Sequence, residues 1–306
     1  MTRTRLVKFG MFYMLLGAFF FSLMNSSLKI LADSITINEN MFFRGITMTI
    51  FIVILVYIKR KHSKTNKHHN KKGGWGKLFF RAFIGTCSLY ALLYNISTIP
   101  LGTSVAFAQS TPIYTAIFAW LFLREKITLM MILSVVIGFI GVLLISNPET
   151  SNLAFINIAC GILSGVFASL AFISIRALRG YFDDLIIMLS FGLMATFMGF
   201  IAVLIFQDGF SPLDLKDWIC IVLVGITGTI GQYYITRAYT FAPAGIVAPI
   251  DYTRIVFSLL FGIVLGDTIP DIFSVTGMIF ITISGILIAM PIILQEIRKF
   301  TIKPKG

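Results

Sequence analysis

The residues of this sequence with the clearest chemistry are ionisable side chains inside apolar stretches. Asp251 and Arg254 lie within one such stretch, and their spacing of three residues puts them on one face of a helix, where they can pair. A charge in the apolar core of a bilayer costs at least ~2.5–3.5 kcal/mol unless it has a partner or faces water. The pair, with Tyr252 between its members, is therefore either a binding or gating element facing a cavity or a structural ion pair. Burial favours the protonated form of a carboxylate and a nearby arginine favours the ionised form, so the pairing argues against Asp251 as a simple proton carrier.

Uncharged polar and aromatic residues in the other apolar stretches predict the lining of a small-molecule pocket. The candidates are Tyr90 and Tyr94, which share a helix face, together with Gln109, Gln232 and Tyr234. We favour the cavity for Tyr94, Gln109 and Gln232. For the other two, hydrogen bonding between helices is an equally good explanation.

Three more basic residues lie closer to the ends of their apolar stretches. Lys29 and Arg44 fall near the same end of the first two stretches, where they either extend to the lipid interface or form a positively charged vestibule. Arg81 falls near the opposite end of the third stretch, and we interpret it as an interfacial anchor.

The composition requires a lipid environment for the elements that carry these residues. Of the 306 residues 57% are hydrophobic and only 12% are charged, whereas soluble domains carry about 25% charged residues. Segments of about 20 apolar residues are long enough to cross a bilayer as helices. We place ten at 9–31, 41–58, 78–97, 104–123, 128–146, 154–175, 184–206, 218–238, 246–265 and 272–294.

The basic residues predict the orientation of these spans. If both termini are cytoplasmic, the inside segments contain twenty of the 25 Lys and Arg residues, eight of them in the long loop 59–77. The outside segments contain one, Lys216. This asymmetry is typical of a multi-pass protein of the inner membrane. It also accounts for the net charge of +12 without a nucleic-acid partner.

An internal repeat divides the chain into two halves, 1–147 and 148–306. A shift of 142 residues places residues 103–127 over residues 245–269 without a gap, so that six positions are identical and Glu125 aligns with Asp267. Each half then contains five helices. Because five is odd, the second half enters the membrane in the opposite direction. The predicted fold is all-α, with ten transmembrane helices as two inverted five-helix repeats.

The segments AYTFAPAGIVAPIDYTRIVFSLLFGIVLGD (238–267) and LGTSVAFAQSTPIYTAIFAWLFLREKIT (101–128) resemble EamA-type members of the drug/metabolite transporter superfamily. Lys29 and the segment ending at Arg44 are also similar to the family pattern. The resemblance implies a central cavity lined mainly by helices 1, 3, 4, 6, 8 and 9. It covers nearly the whole chain but leaves the substrate open. The Asp-Tyr-Thr-Arg block at 251–254 resembles members that carry S-adenosylmethionine or riboflavin-like metabolites.

We therefore predict a secondary transporter for a small amino-acid-, nucleoside- or vitamin-like metabolite, working by alternating access. A facilitative, channel-like protein and an exporter or drug-efflux protein of the same fold are the alternatives. A membrane-embedded enzyme is disfavoured, because the spans lack histidine and paired carboxylates. We expect no cofactor, no metal and no catalytic residue. The expected partners are the substrate and membrane lipids, and homo-oligomerisation is left open.

Overall fold

The computed structural model describes residues 3–31, 34–62, 73–98, 107–126, 128–146, 154–207, 209–264 and 272–301. Residues 63–72 of the predicted basic loop are outside this set. The described residues form ten helices of twelve residues or more, which confirms the predicted all-helical class and helix number. These are α1 (Arg3–Leu31), α2 (Ile37–His62), α3 (Trp75–Thr98), α4 (Thr111–Leu123), α5 (Leu129–Ser146), α6 (Phe155–Ala177), α7 (Asp184–Phe206), α8 (Leu215–Phe241), α9 (Thr253–Val264) and α10 (Ile272–Thr301).

The lengths and surfaces of these helices suit a bilayer. Among the described residues six helices are long and apolar enough to cross a membrane: α1, α2, α3, α6, α7 and α8. Helices α4 and α5 are apolar but shorter, as is segment 275–284 of α10. Large apolar side chains point outward; Phe155 is 84% exposed and Ile205 is 67% exposed. Exposed apolar surface of this extent is stable only against lipid.

Two helices begin after irregular segments, which the sequence analysis did not predict. The expected continuous helix over 246–265 is wrong. A single helical turn, Ala244–Val247, is followed by the 3₁₀ segment Ala248–Tyr252 and only then by α9. Pro249 has no backbone N–H to donate, which favours a break here. In the other half, residues 109–110 form a turn immediately before α4.

The two halves of the chain are packed into one another. The most extensive helix contacts pair a helix of the first five with a helix of the last five. These pairs are α1 with α8 and α9, α2 with α7 and α8, α3 with α6 and α7, α4 with α6, and α5 with α10. Any cavity at the centre of the bundle is therefore bounded by both halves.

Contacts between helix ends define two faces of the bundle. On the first, called face I, Trp75 at the start of α3 packs against Phe182, which precedes α7, with ring centroids 5.0 Å apart. On the same face Arg176, at the end of α6, contacts Glu125 after α4 and Ala242 after α8. Face I thus collects the ends of α4, α6 and α8 and the starts of α3 and α7.

The opposite face, called face II, collects the other helix ends. Asn95, near the end of α3, donates a hydrogen bond to the carbonyl oxygen of Asn157, near the start of α6 (3.0 Å). Gln207, just after α7, donates to the hydroxyl of Thr36, just before α2 (2.8 Å). Glu39 is fully buried and accepts bonds from Thr36 and Ser211, so it ties the segment between α7 and α8 to the start of α2.

Glycine allows the closest of these helix contacts. A Cβ atom at Gly141 of α5 would lie 2.6 Å from the carbonyl oxygen of Gly277 in α10, too close for any side chain. In the same interface Ser134 and Ser284 each donate their hydroxyl to the other's backbone carbonyl, at 2.9 and 2.7 Å. Small residues and such hydrogen bonds drive helix association where the surrounding lipid is as apolar as the helices.

Candidate functional site

A cavity of about 210 Å³ lies between the two halves of the bundle. Most of its wall comes from α1, α3 and α6. The segment leading into α4 and the junction leading into α9 add several residues, and α2, α7 and α8 add one residue each. The polar and charged side chains of the wall are Asn25, Arg44, Arg81, Ser88, Gln109, Thr111, Ser164, Gln232, Asp251 and Arg254. Most of the remaining wall is apolar, as is usual for sites that bind small molecules.

The predicted pair of Asp251 and Arg254 is present and lies in this wall. Nη2 of Arg254 is 2.6 and 2.7 Å from the two carboxylate oxygens of Asp251. Asp251 ends up at the junction because the 3₁₀ segment turns into α9 there. Two hydrogen bonds hold the junction in place. The side-chain amide of Gln109 donates to the backbone carbonyl oxygen of Asp251 (3.1 Å), and the hydroxyl of Ser22 donates to the backbone carbonyl oxygen of Arg254 (2.7 Å).

Arg44 also lies in the wall of the cavity. Its guanidinium carbon is 5.7 Å from the centre of the Phe21 ring, and that of Arg254 is 4.8 Å from the same ring. The two like charges are near enough to interact electrostatically. Arg44 is only 9% exposed, so it points into the bundle rather than extending to the interface.

Arg81 corrects one interpretation made from the sequence. It is not an interfacial anchor, because it is only 2% exposed and lies in the cavity wall with its guanidinium 5.0 Å from the centre of the Phe191 ring. Its Nε and Nη1 atoms have no hydrogen-bond partner among the described residues. Gly85, one turn further along α3, leaves room for the guanidinium, since a Cβ atom there would collide with Nη1.

The sequence of α3 itself indicates that Arg81 faces a cavity. Gly85 and Ser88 follow it by four and seven residues, so a small residue and a polar residue share its face. An anchor at the lipid interface would instead have apolar neighbours on that face. Asn25 and Ser164 were missed as well, because isolated small polar residues occur throughout helical membrane proteins.

The predicted tyrosines lie outside the cavity wall. Tyr90 is 37% exposed on the outer side of α3, and Tyr94 of the same helix is absent from the lining. Tyr252 is fully buried and donates its hydroxyl to the carbonyl oxygen of Val135 in α5 (3.2 Å). Tyr234 stacks on Tyr13 of α1, with ring centroids 5.8 Å apart.

The remaining predicted site residues are the two glutamines and Lys29. Gln109 is 1% exposed and Gln232 is 4% exposed, and both belong to the wall. Lys29 lies in the last turns of α1, and its side chain is outside the part of the chain that the structure describes.

On the side of face I the bundle is closed beneath the cavity. Phe172 belongs to the wall, and Tyr239 stacks against it on the far side, with ring centroids 5.0 Å apart. One turn beyond Phe172, Arg176 forms an ion pair with Glu125 (2.6 Å) and donates to the carbonyl oxygen of Ala242 (2.6 Å). The backbone N–H groups of Ala244 and Gly245 approach the carboxylate of Glu125 to 3.4 Å. This cluster ties α4 and α6 to the turn between α8 and α9.

The sequence matches a known family over almost its whole length. The sequence model of the EamA-like transporter family matches residues 8–147 and again residues 155–290. The chain belongs to this family. It is therefore a multi-pass membrane transporter, and membership argues against the enzyme alternative.

Individual EamA relatives agree with the family assignment. A protein of Helicobacter pylori (strain J99) described as an uncharacterized transporter is 42% identical over 297 residues, which cover 96% of this chain and 98% of that protein. The pseudopaline exporter CntI of Pseudomonas aeruginosa (strain UCBPP-PA14) is 28% identical over 284 residues, covering 93% and 97%. A solved crystal structure with 14% identity superposes with a TM-score of 0.77 over 96% of this chain and all of that chain, which shows a shared fold.

Proposed function

We propose that this EamA chain is a secondary transporter that moves a small organic metabolite across the inner membrane by alternating access. The observation that carries the proposal is the central cavity, which is bounded by both halves and closed toward face I by aromatic packing and a small set of polar contacts. A transporter needs a site near the middle of the membrane and a barrier that can open on each side in turn.

The pattern of helix contacts supports an inverted repeat. Exchanging each helix of the first half with its counterpart five helices later converts the α1–α8 contact into α6–α3. The same exchange converts α1–α9 into α6–α4 and α2–α8 into α7–α3, and all of these contacts are present. The α2–α7 and α5–α10 contacts map onto themselves. This is the pattern expected of two similar five-helix units related by a two-fold axis.

The hydrogen bond between Gln109 and Asp251 supports the same arrangement. These residues are 142 positions apart, which is the shift that aligns the two halves in the sequence. Equivalent residues of two units can touch each other only close to the axis that relates them. Both residues also occupy the irregular segments before α4 and α9. Interrupted helices at the junction of two repeats commonly form the substrate site of secondary transporters.

The Glu125–Arg176 cluster is the proposed barrier on face I. It combines one ion pair and a few hydrogen bonds with packed apolar side chains, among them Phe172 and Tyr239. With the termini in the cytoplasm, as the distribution of basic residues favours, face I is the cytoplasmic face. All ten helices would then cross the membrane.

Export is the direction that one relative favours. The protein of Pseudomonas aeruginosa that matches along 93% of this chain is described as an exporter. An exporter and an importer of this fold would share the same cavity and barrier. The direction of transport is therefore set by the gradients that drive it rather than by the architecture.

Uptake and counterflow in proteoliposomes test the proposal. The purified chain is reconstituted, loaded with one unlabelled metabolite at a time, and exposed to trace amounts of the same labelled compound. We expect transient accumulation of label for one class of metabolite, and none in liposomes without protein. Steady ion currents without counterflow for any compound would contradict alternating access.

A further inference from the structure

The charges in the cavity wall do not balance. Among the described residues of the wall, three guanidinium groups, of Arg44, Arg81 and Arg254, face one carboxylate, that of Asp251. Within the same set neither Arg44 nor Arg81 lies within ion-pair distance of an acidic side chain. The described wall therefore has an excess of two positive charges, on side chains that are largely buried. Buried charges are stable in proteins when they are paired, so this excess requires explanation.

Of the three arginines, Arg81 most clearly needs a partner. It is one of the largest fully buried side chains of the described chain, and two of its three side-chain nitrogens lack a hydrogen-bond partner. Most buried polar groups in proteins are satisfied, and an exception calls for a missing partner. The Phe191 ring contributes a cation–π contact at 5.0 Å but accepts no conventional hydrogen bond. The free donors suit a bound oxygen acid.

Arg254 is only partly satisfied by its aspartate. Both carboxylate oxygens of Asp251 accept from the same nitrogen, Nη2, and Nε of Arg254 has no hydrogen-bond partner in the described part of the chain. Arg44 lies across the Phe21 ring and forms no ion pair with any acidic side chain that the structure describes. A second anionic group between Arg44 and Arg254 would satisfy both and relieve the repulsion between them.

The three arginines lie at different depths. Arg44 is seven residues from the start of α2 on face II, about 10 Å along the helix axis. Arg81 is six residues from the start of α3 on face I, about 9 Å along its axis. Arg254 is the second residue of α9, and its guanidinium contacts the same Phe21 ring as that of Arg44. The positive charges thus form two groups along the cavity, Arg44 with Arg254 and Arg81 on its own.

Building on the proposed transport function, we propose that the substrate is a small organic dianion. One acid group binds between Arg44 and Arg254, and the other binds at Arg81. Carboxylate and phosphoryl groups share the chemistry that guanidinium recognises. This class excludes cations such as S-adenosylmethionine and uncharged, riboflavin-like compounds as the preferred substrates.

A set of probes with the same carbon skeleton tests the charge requirement. The purified full-length chain in a detergent without phosphate groups is titrated with succinate, the neutral succinamide or the cationic 1,4-diaminobutane, while thermal unfolding is followed at constant ionic strength. 3-Phosphoglycerate, which carries a carboxylate and a phosphoryl group, and glycerol form a second pair. We expect succinate, 3-phosphoglycerate or both to raise the unfolding temperature at concentrations up to about 10 mM. The three uncharged or cationic probes should leave it unchanged, and the more effective anion identifies the acid group.

Variants of α3 locate the interaction. Arg81→Gln should weaken the apparent affinity for the effective anion at least ~tenfold. Lys77→Gln, one turn earlier at the exposed start of the helix, also removes one positive charge and should bind like the wild type. Gly85→Ala keeps every charge but displaces the Arg81 guanidinium, so it should also weaken binding. This variant provides the test if Arg81→Gln fails to fold.

Three results would overturn the proposal: stabilisation by succinamide or 1,4-diaminobutane equal to that by succinate, unchanged affinity in both the Arg81 and the Gly85 variants, or no effect of either anion. Because binding is measured without transport, the two proposals fail separately. Anion binding without counterflow contradicts only the transport function, and counterflow restricted to neutral or cationic metabolites contradicts only the dianion.

Discussion

Removal of the charge of Glu125 should open the barrier on face I. Nε of Arg176 lies 2.6 Å from Oε1 of Glu125, and the two side chains are 21% and 14% exposed. Hydrogen bonds to charged groups contribute about 1.5–3 kcal/mol, and partial exposure lowers this figure because water screens the pair. We take about 1.4 kcal/mol for Glu125→Gln, which corresponds to a tenfold shift toward the state open at face I.

The accessibility of a single cysteine in the cavity measures this shift. Ala168 of α6 lies in the wall, so Ala168→Cys is the reporter. The background lacks the native thiols of Cys87, Cys160 and Cys220. A membrane-impermeant maleimide is added from the side of face I, which is the outer side of inside-out vesicles under the proposed orientation. Glu125→Gln should raise the labelling rate about tenfold.

A neighbouring charge provides the control for this experiment. Lys126 is exposed and takes no part in the cluster, so Lys126→Gln should leave the labelling rate unchanged. Equal labelling rates in wild type and Glu125→Gln would refute the assignment of the barrier. A rise of the same size in Lys126→Gln would refute it too, because the effect would then follow from surface charge alone.

Three further outcomes are expected. Asp251→Asn and Arg254→Gln should each abolish counterflow while leaving insertion and the amount of folded protein intact; wild-type transport by both would make the pair purely structural. Gly45→Ala should lower the unfolding temperature, because its Cβ would collide with the backbone nitrogen of Thr196 in α7, and such overpacking costs about 1–3 kcal/mol; an unchanged unfolding temperature would contradict this packing. A reporter domain inserted after Lys72 should be active in the cytoplasm, and periplasmic activity would reverse the proposed orientation.

The features that were predicted from the sequence are those determined by local pattern. Helix number follows from the lengths of the apolar segments, and the Asp251–Arg254 contact follows from a spacing of three, which the junction of the 3₁₀ segment and α9 preserves. The inclusion of Gln109 and Gln232 in the wall was also expected, since buried amides in a membrane need polar surroundings.

The features that were missed depend on tertiary packing. Arg81 lies close to the end of its helix, and its sequence position alone cannot distinguish the lipid interface from a cavity; the contact with Phe191 of α7 makes the difference. Tyr94 shares a helix with cavity residues but faces away from them. The break before α9 depends on contacts from α1 and α4 as well as on Pro249, and only the proline is visible in the sequence.

The contact between Gln109 and Asp251 bears on how such a chain could have evolved. In a dimer of two identical five-helix proteins, the residue at this position would meet the backbone of its own copy across the symmetry axis. An aspartate there would set each carboxylate against the carbonyl oxygen of the other subunit, with no hydrogen to share. After fusion of the two copies into one chain, the two equivalent positions no longer have to carry the same residue. One can then become an amide that donates the hydrogen bond, while the other keeps the charge that holds Arg254.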